Sequence, residues 1–292
     1  MTSVQSQSSQ TENAITERWL GIDFSGNFKM WKPGCRRSNV WIADIRKSPR
    51  QDNFFCIADL KRLQQLPGTE APFSKLVRLL SARDFLAAAI DAPFSIPASF
   101  LPPGGHASLL VAASSLASGG HPFGAAKAFV DLVIGAQELR CKKPLRVTET
   151  EWSERNVNIR STLWAGPRGG APMTAACLTL LHQSSCPIWP WASSGLGLLI
   201  EAFPAGQLKH WELPFQQYNG SAVLHYANRK AILDGLRLRV DLTDWEEALL
   251  PSADAIDAVV CALTAASVTQ GNHATEPGVN IATGEGWIAI SR

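Results

Sequence analysis

The chain has 292 residues, of which 46% are hydrophobic, and its 27 basic and 25 acidic residues leave a formal charge of +2. This composition can supply a sizeable apolar core, and it argues against a protein that coats nucleic acid through bulk charge, although a local basic patch remains compatible with it. The six cysteines include no C-x-x-C pair, which argues against a zinc site or a disulfide framework in a chain of this size.

The N-terminal segment 1–17, MTSVQSQSSQTENAITE, is polar and lacks a basic start followed by an apolar core. It therefore resembles neither a secretory signal nor a membrane anchor, and we expect a disordered tail. No apolar run approaches the ~20 residues that span a bilayer. We expect one domain over residues 18–292 in a cytoplasmic protein without membrane contact.

The first part of the chain alternates strand-like and turn-like segments. Residues 19–24, 40–45 and 54–58 are β-branched or aromatic and are separated by Gly, Pro and charged residues, which predicts an antiparallel meander. FSKLVRLLSARDFL, 73–86, has helical spacing of its leucines. A short apolar strand, AAAID, then ends at Asp91.

A basic cluster lies between the first two predicted strands. Its members are Lys29, Lys32, Arg36 and Arg37. Such a cluster is typical of an ordinary solvated hairpin, and it is equally compatible with a surface that contacts phosphate.

The middle of the chain, about 95–195, is rich in Pro, Gly, Ser and Trp, with predicted helices near 124–139 and 173–182. It is too long for a simple loop, so we expect an elaboration that forms a lid or a substrate wall.

The last third returns to regular structure. LGLLIEAF, 196–203, predicts a strand, and helices are expected at about 222–236 and 253–269. GEGWIAI, 284–290, is expected to close the chain as an edge strand.

Two short apolar strands each end on a single acid. Asp23 follows LGI before the turn at Ser25, and Asp91 follows AAAI before a proline. Ligands collect outside the carboxyl ends of parallel strands, and two buried carboxylates brought together there would repel each other. A divalent cation such as Mg²⁺ or Mn²⁺, which prefers oxygen ligands, would remove that conflict.

Further acids follow in the last third. In PSADAIDAVVCALTAA, Ser252 is a plausible helix cap, and Asp254 and Asp257 fall three apart on one face. Acids in a first helical turn can also simply complement the helix dipole. The alanines of this helix would allow a close approach to a sheet. Glu201, at the end of a strand, would face the same crevice or act as a salt-bridge partner.

The segment RVTETEW, 146–152, supplies candidates for substrate contact. The guanidinium of Arg146 could clamp a phosphate in a bidentate manner, with Glu149 orienting it or completing a metal shell. A structural ion pair between Arg146 and Glu149 is the alternative. Ser25, Arg146 and Thr148 are the candidate substrate-binding residues. Six tryptophans could stack on unpaired bases or pack in the core, namely Trp31, Trp41, Trp152, Trp164, Trp189 and Trp191.

Six segments, in this order, resemble successive blocks of the domain-of-unknown-function 429 family: GIDFSG, AIDAPFSIP, RVTETEWSER, IEAFPA, DAIDAVVCALTAA and EGWIAI. They span nearly all of residues 19–290. Members of that family are regarded as predicted nucleases of the ribonuclease H-like fold.

The resemblance implies an α/β fold, a mixed five-stranded sheet of order 3-2-1-4-5 flanked by helices, here with a large insertion between strands 4 and 5. It also implies that acids from strand one, strand four and the last helix surround divalent metal. In this sequence these are Asp23, Asp91 and either Asp254 or Asp257.

The hypothesis that follows is a nuclease that hydrolyses phosphodiester bonds of DNA or RNA with two Mg²⁺ or Mn²⁺ ions ~3.5–4 Å apart. Asp23 would bridge the ions, while Asp91 and Asp254 or Asp257 would hold one each. Glu149 and Glu201 are further candidate catalytic residues.

Two other classes of protein remain open. A non-catalytic ribonuclease H-like module would bind nucleic acid or a partner protein, and removing metal would change nothing. A D-x-S-G turn also opens actin-like ATPases and sugar kinases. That interpretation predicts a second such turn and a glycine-rich adenosine loop in the C-terminal half, and the sequence contains neither.

Overall fold

A computed structural model describes residues 17–49, 54–117, 122–135, 144–166, 169–274, 281 and 284–292. The expected tail, apart from Glu17, lies outside the described residues, as do residues 136–139 of the helix predicted at 124–139.

A six-stranded sheet organises the fold. Its strands are β1 (Arg18–Asp23), β2 (Trp41–Lys47), β3 (Phe55–Arg62), β4 (Ala87–Ile90), β5 (Leu198–Glu201) and β6 (Val240–Asp241). They are hydrogen-bonded in the order β5-β4-β1-β2-β3-β6. The β1–β2 and β2–β3 pairs are antiparallel, which confirms the predicted meander, and the other three pairs are parallel.

The expectation of five strands is therefore wrong by one strand. The additional strand, β6, has only two residues, which pair with Phe55 and Cys56 at the edge of β3. Two residues are too short to produce the alternating pattern by which a strand is predicted.

Nine helices of the described residues surround the sheet: α1 (Pro72–Ser81), α2 (Gly105–Leu116), α3 (Ala126–Ile134), α4 (Val147–Glu154), α5 (Ala171–Ser184), α6 (Pro204–His210), α7 (Val223–Leu236), α8 (Glu246–Leu249) and α9 (Ala253–Thr269). Four of them, α2 to α5, lie between β4 and β5, in the region expected to be an elaboration. Among these helices, none combines the length and apolar character that a bilayer crossing requires.

The two faces of the sheet pack against different helices, because alternate residues of a strand point to opposite sides. Trp19 lies in a core that includes α7 and α9. Leu20 and Ile22 lie in a core that includes α1, α2 and α5. The sheet is thus covered on both faces.

Helix α9 approaches β1 unusually closely at Gly21. A Cβ added to Gly21 would lie 1.9 Å from the carbonyl oxygen of Ala258 and 2.2 Å from the amide nitrogen of Ala262. The missing side chain on the strand and the small side chains on the helix therefore allow direct backbone contact. The predicted close approach of this helix to the sheet is confirmed.

The C-terminal segment is not the edge strand that we expected. Its strand pairing between 284 and 292 is limited to isolated bridges, one of them joining Ala289 to Ala202. The physical reason is that it meets β5 only at the end of that strand, where the amide of Ala289 donates to the Glu201 carbonyl at 2.9 Å. Closer to residue 292, the segment is bound by the side chain of Gln207. This side chain accepts a hydrogen bond from the Ser291 amide at 2.6 Å and donates one to the Ser291 carbonyl at 3.0 Å.

Candidate functional site at the carboxyl edge of the sheet

Asp23 and Asp91 lie next to each other at the carboxyl ends of two parallel strands. Ile22 of β1 pairs with Ile90 of β4, and the amide of Asp91 donates to the Ile22 carbonyl at 2.9 Å. Side chains alternate between the two faces along each strand, and Asp23 and Asp91 are in phase with Trp19 and Ala89. Both aspartates therefore point toward the face covered by α9. Asp23 is only 6% exposed.

Helix α9 carries Asp254 and Asp257 to the same face. Ser252 caps the helix as predicted, since its hydroxyl accepts a 3.2 Å hydrogen bond from the amide of Ala255. The side chain of Asn39 donates to Asp254. The hydroxyl of Tyr218 donates to Oδ1 of Asp257 at 2.9 Å.

The four aspartates act on one another electrostatically. Burial raises the pKa of Asp23 well above its usual range, and the charges of Asp257, Asp254 and Asp91 raise it further. Burial, together with the charge of Asp91, also raises the pKa of Asp257. The pKa of Asp254 is raised mainly by burial. Asp23 is thus the carboxyl on which the charges of all the other three aspartates act.

Asp91 is the aspartate of this group on which Glu201 and Arg160 act. Burial and the charge of Glu201 raise its pKa to about 7, while Arg160 opposes the shift. Within the described ranges, none of the four aspartates forms a salt bridge with a Lys or Arg. No basic side chain of the described residues therefore stabilises the ionised carboxylates by direct contact, in agreement with their raised pKa values.

The donor chemistry of this group suits a hard divalent cation, since Mg²⁺ and Mn²⁺ take carboxylate oxygens. The side-chain positions are less complete. In the part of the chain that the structure describes, no three His, Cys, Asp or Glu side chains are already arranged as a metal-binding group. The acids are thus of the right type and share one edge of the sheet, but they do not form a finished ligand shell.

Glu201 and Glu149 belong to a second group, which is centred on Arg146. The guanidinium donates from Nε to Glu149 at 3.0 Å and from Nη1 to Glu201 at 2.8 Å, and Nη2 also contacts Glu201. The Glu201 carboxylate also accepts a hydrogen bond from the amide of Phe94 at 3.0 Å. Because Ile200 faces α9, Glu201 points to the other face of the sheet.

This second group is almost completely buried, with Arg146 and Glu149 each 1% exposed. Burial alone would lower the pKa of Arg146, but the carboxylates of Glu201 and Glu149 outweigh burial and raise it. The ion pair that we considered as the alternative for Arg146 and Glu149 is therefore present. A phosphate-clamping role for Arg146 stays a prediction.

The hydroxyls of the remaining predicted residues, Thr148 and Ser25, accept hydrogen bonds from backbone amides. Thr148 accepts the amide of Ile288 at 3.3 Å, and Ser25 accepts the amide of Asn27 at 3.2 Å. Glu285, which we did not predict, accepts the amides of Ala98 at 2.8 Å and of Val147 at 2.6 Å. The C-terminal segment thus joins the start of α4 to the loop after β4.

A cavity of about 510 Å³ opens beside these groups. Its polar and charged lining residues are Ser25, Asn27, Asn39, Asp91, Arg146, Glu149, Asn158, Arg160 and Glu201. Asp23, Asp254 and Asp257 do not line it. The cavity therefore meets the aspartate group at Asp91, where the two groups adjoin.

Several residues of this region were not predicted from the sequence. Tyr218, Asn39 and Arg160 come from irregular segments without a periodic signal. Glu285 lies in the EGWIAI block and could have been noticed there. Of the six candidate stacking tryptophans, four are buried in the core: Trp31, Trp41, Trp152 and Trp189.

Comparison with known proteins identifies the family but not an activity. The searches of curated proteins and of solved structures gave no match. Residues 21–280 match the family described as "Protein of unknown function (DUF429)". Because the match covers most of the chain, the protein belongs to that family.

Proposed function

We propose that the protein is a divalent-metal-dependent phosphodiesterase that acts on DNA or RNA. One observation carries the proposal. Asp23, Asp91, Asp254 and Asp257 come from three distant segments, and none has a salt-bridge partner among the described residues. The charges of the other three raise the pKa of the buried Asp23. Buried charge of one sign is unfavourable, and a bound cation would remove much of that cost.

The strand order supports a ribonuclease H-like fold for this proposal. The run β5-β4-β1-β2-β3 is the implied order 3-2-1-4-5 in reverse, with β6 added outside β3. The printed description of the family assigns no activity, so the functional part of the proposal rests on the residues of this chain.

In this proposal Asp23, Asp91 and one or both of Asp254 and Asp257 hold Mg²⁺ or Mn²⁺. Two such ions, when bound, would supply hydroxide from water and stabilise the leaving oxygen of a phosphodiester. Asp91 is the aspartate that faces the cavity, so the scissile phosphate would lie beside it.

The other residues have supporting roles in the proposal. Tyr218 orients the carboxylate of Asp257 through its hydrogen bond. Arg146 forms ion pairs with Glu149 and Glu201 and so stabilises the wall of the cavity. Arg160 is exposed on that wall and forms no salt bridge within the described residues, so it can meet a phosphate.

The test is a cleavage screen with single-stranded, duplex and branched DNA and RNA, in Mg²⁺, in Mn²⁺ and in EDTA. The wild type is compared with Asp23→Asn and Asp91→Asn. Asp131→Asn is the matched control, because Asp131 is a surface residue paired with Lys127. We expect cleavage only with metal, its loss in both site variants and its retention in the control.

Cleavage that persists in EDTA or in Asp23→Asn would contradict the proposal. Binding of nucleic acid without turnover in any metal would instead favour the non-catalytic module.

A further inference from the structure

The loop between β1 and β2 carries four basic side chains. We call residues 28–38 the basic loop; its charged members, all exposed, are Lys29, Lys32, Arg36 and Arg37. None of the four forms a salt bridge with a carboxylate of the described residues. Lys32 lies 5.2 Å from the centroid of the Phe28 ring, a contact that leaves its charge exposed to an anion.

The basic loop begins and ends at the cavity. Asn27, which precedes it, and Asn39, which follows it, both line the cavity. Lys29 and Arg37 are each two positions from one of these residues. Since a chain spans at most ~3.3–3.6 Å per residue, each Cα lies within about 7 Å of the Cα of a cavity-lining residue.

The base of the loop is held by buried contacts. Trp31 is 6% exposed, and its indole nitrogen donates to the Ser25 carbonyl at 2.8 Å. The centroid of its ring lies 4.7 Å from the centroid of the Phe24 ring. The Met30 carbonyl accepts hydrogen bonds from Ser38 at 2.9 Å and from Gln64 at 2.7 Å. A loop ordered in this way loses little conformational freedom when it binds a ligand.

We propose that the basic loop binds the phosphate backbone of a nucleic-acid strand and guides that strand past the cavity. This inference rests on the proposed function, because it takes the cavity to be where a phosphodiester is cleaved. A polyanion approaching the aspartate group is repelled by it, and nearby uncompensated cations offset that repulsion. Lys and Arg contacts with phosphates supply binding that is independent of base sequence.

The experiment measures binding separately from cleavage. A labelled single-stranded oligonucleotide is titrated in EDTA over a series of salt concentrations, with fluorescence anisotropy as the readout. The test variants are Lys29→Gln/Arg37→Gln and the variant in which all four basic residues are Gln. The matched control is Lys47→Gln/Lys230→Gln, which removes the same charge from exposed positions that do not line the cavity.

Each lost phosphate contact lowers the slope of log affinity against log salt by about 0.7 for a single strand. We therefore expect a decrease of about 1.4 for the double variant and of about 3 for the fourfold variant, with several-fold weaker binding. The control should keep the wild-type affinity and slope.

Three results would overturn the inference: no binding by the wild type, equal slopes for the loop variants and the wild type, or an equal loss in the control. Failure of the proposed function gives a different pattern. In that case the wild type binds the strand with the expected loop dependence but cleaves nothing in Mg²⁺ or Mn²⁺.

Discussion

The hydroxyl of Tyr218 donates a hydrogen bond of 2.9 Å to Oδ1 of Asp257, joining an irregular loop to the longest helix of the described residues. Arg229 fastens that loop, donating to the Tyr218 carbonyl at 2.5 Å and to the Gly220 carbonyl at 2.9 Å. Its Nε donates to the Leu250 carbonyl at 2.7 Å, just before α9 begins. One buried arginine thus holds the tyrosine in position against the aspartate.

Replacing Tyr218 with Phe should destabilise the protein by about 1–3 kcal/mol, because a buried carboxylate loses its donor. Urea unfolding measures the difference. The only other tyrosine, Tyr226, is 49% exposed, so Tyr226→Phe is a matched control with an expected change below about 0.5 kcal/mol. Equal effects of the two changes would contradict the positioning role.

Gly21→Ala should force β1 and α9 apart, because its Cβ would overlap backbone atoms of Ala258 and Ala262. We expect a loss of about 1–3 kcal/mol and weaker Mn²⁺ binding, since Asp23 and Asp257 lie on the separated elements. Calorimetric titration measures the second effect. At Gly284 an added Cβ would come no closer than 3.9 Å to Ala98, so Gly284→Ala should change neither property.

Arg146→Met should be strongly destabilising, by about 3–5 kcal/mol, because Glu149 and Glu201 would remain buried without their cation. The comparison is Arg237→Met, which breaks exposed ion pairs with Asp234 and Glu246 and should cost about 0–1 kcal/mol. If the denaturant midpoints shifted equally in the two variants, the buried ion pairs of Arg146 would contribute no more to stability than the exposed ones of Arg237.

His106 should make the protein sensitive to acid. Its ring stacks on the ring of Trp191 with the two centroids 3.6 Å apart, and its Nε2 donates a hydrogen bond to the Phe94 carbonyl at 2.7 Å. Burial, aided by the charge of Arg146, lowers the pKa of His106 to about 4. The unfolded chain therefore takes up a proton near the ordinary pKa of about 6.5, while the folded protein does not until about 4.

The free energy of unfolding therefore decreases as the pH falls from about 6.5 to about 4. His106 accounts for about 3 kcal/mol of that decrease at most. His106→Gln, which keeps an N–H donor, should lack that loss. Unfolding free energies of the two proteins across this pH range provide the measurement. A difference that does not depend on pH would refute the assignment.

Asp23→Asn should leave the metal-free protein as stable as the wild type or more stable. The folded-state pKa of Asp23 is raised by burial and by three neighbouring acids, so ionisation costs stability as the pH rises above the ordinary value of ~3.9. The gain in melting temperature in EDTA should therefore be larger at about pH 8 than at about pH 5. An unfolded variant would point to a structural role for this carboxylate.

Much of the sheet could be predicted because its signals are local. The meander follows from short β-branched runs separated by turns, and the strand-end positions of Asp23 and Asp91 follow from apolar runs that stop at an acid. The segment GEGWIAI has the same local pattern as a strand. It fails to form one because it meets only the end of β5, a tertiary fact that no local pattern contains.

The side-chain partners of the site could not be predicted in the same way. Tyr218 is 39 positions from Asp257, and Arg146 is 55 positions from Glu201. For Arg146 the sequence left an ion pair and a phosphate contact open, since both use the same residue types. Only the folded chain shows that the ion pair with Glu149 forms, and that the Glu201 carboxylate at the end of β5 also reaches the guanidinium.

The hydrogen bonds of Glu285 to Ala98 and Val147 bear on the order of folding during synthesis. A ribosome releases the N-terminal strands first, and these can pair while later segments are still being made. The wall of the cavity includes Ile288, three residues after Glu285, and both are synthesised long after Asp23 and Asp91. A nascent chain therefore carries Asp23 and Asp91 beside an incomplete cavity until the segment with Glu285 and Ile288 has been made.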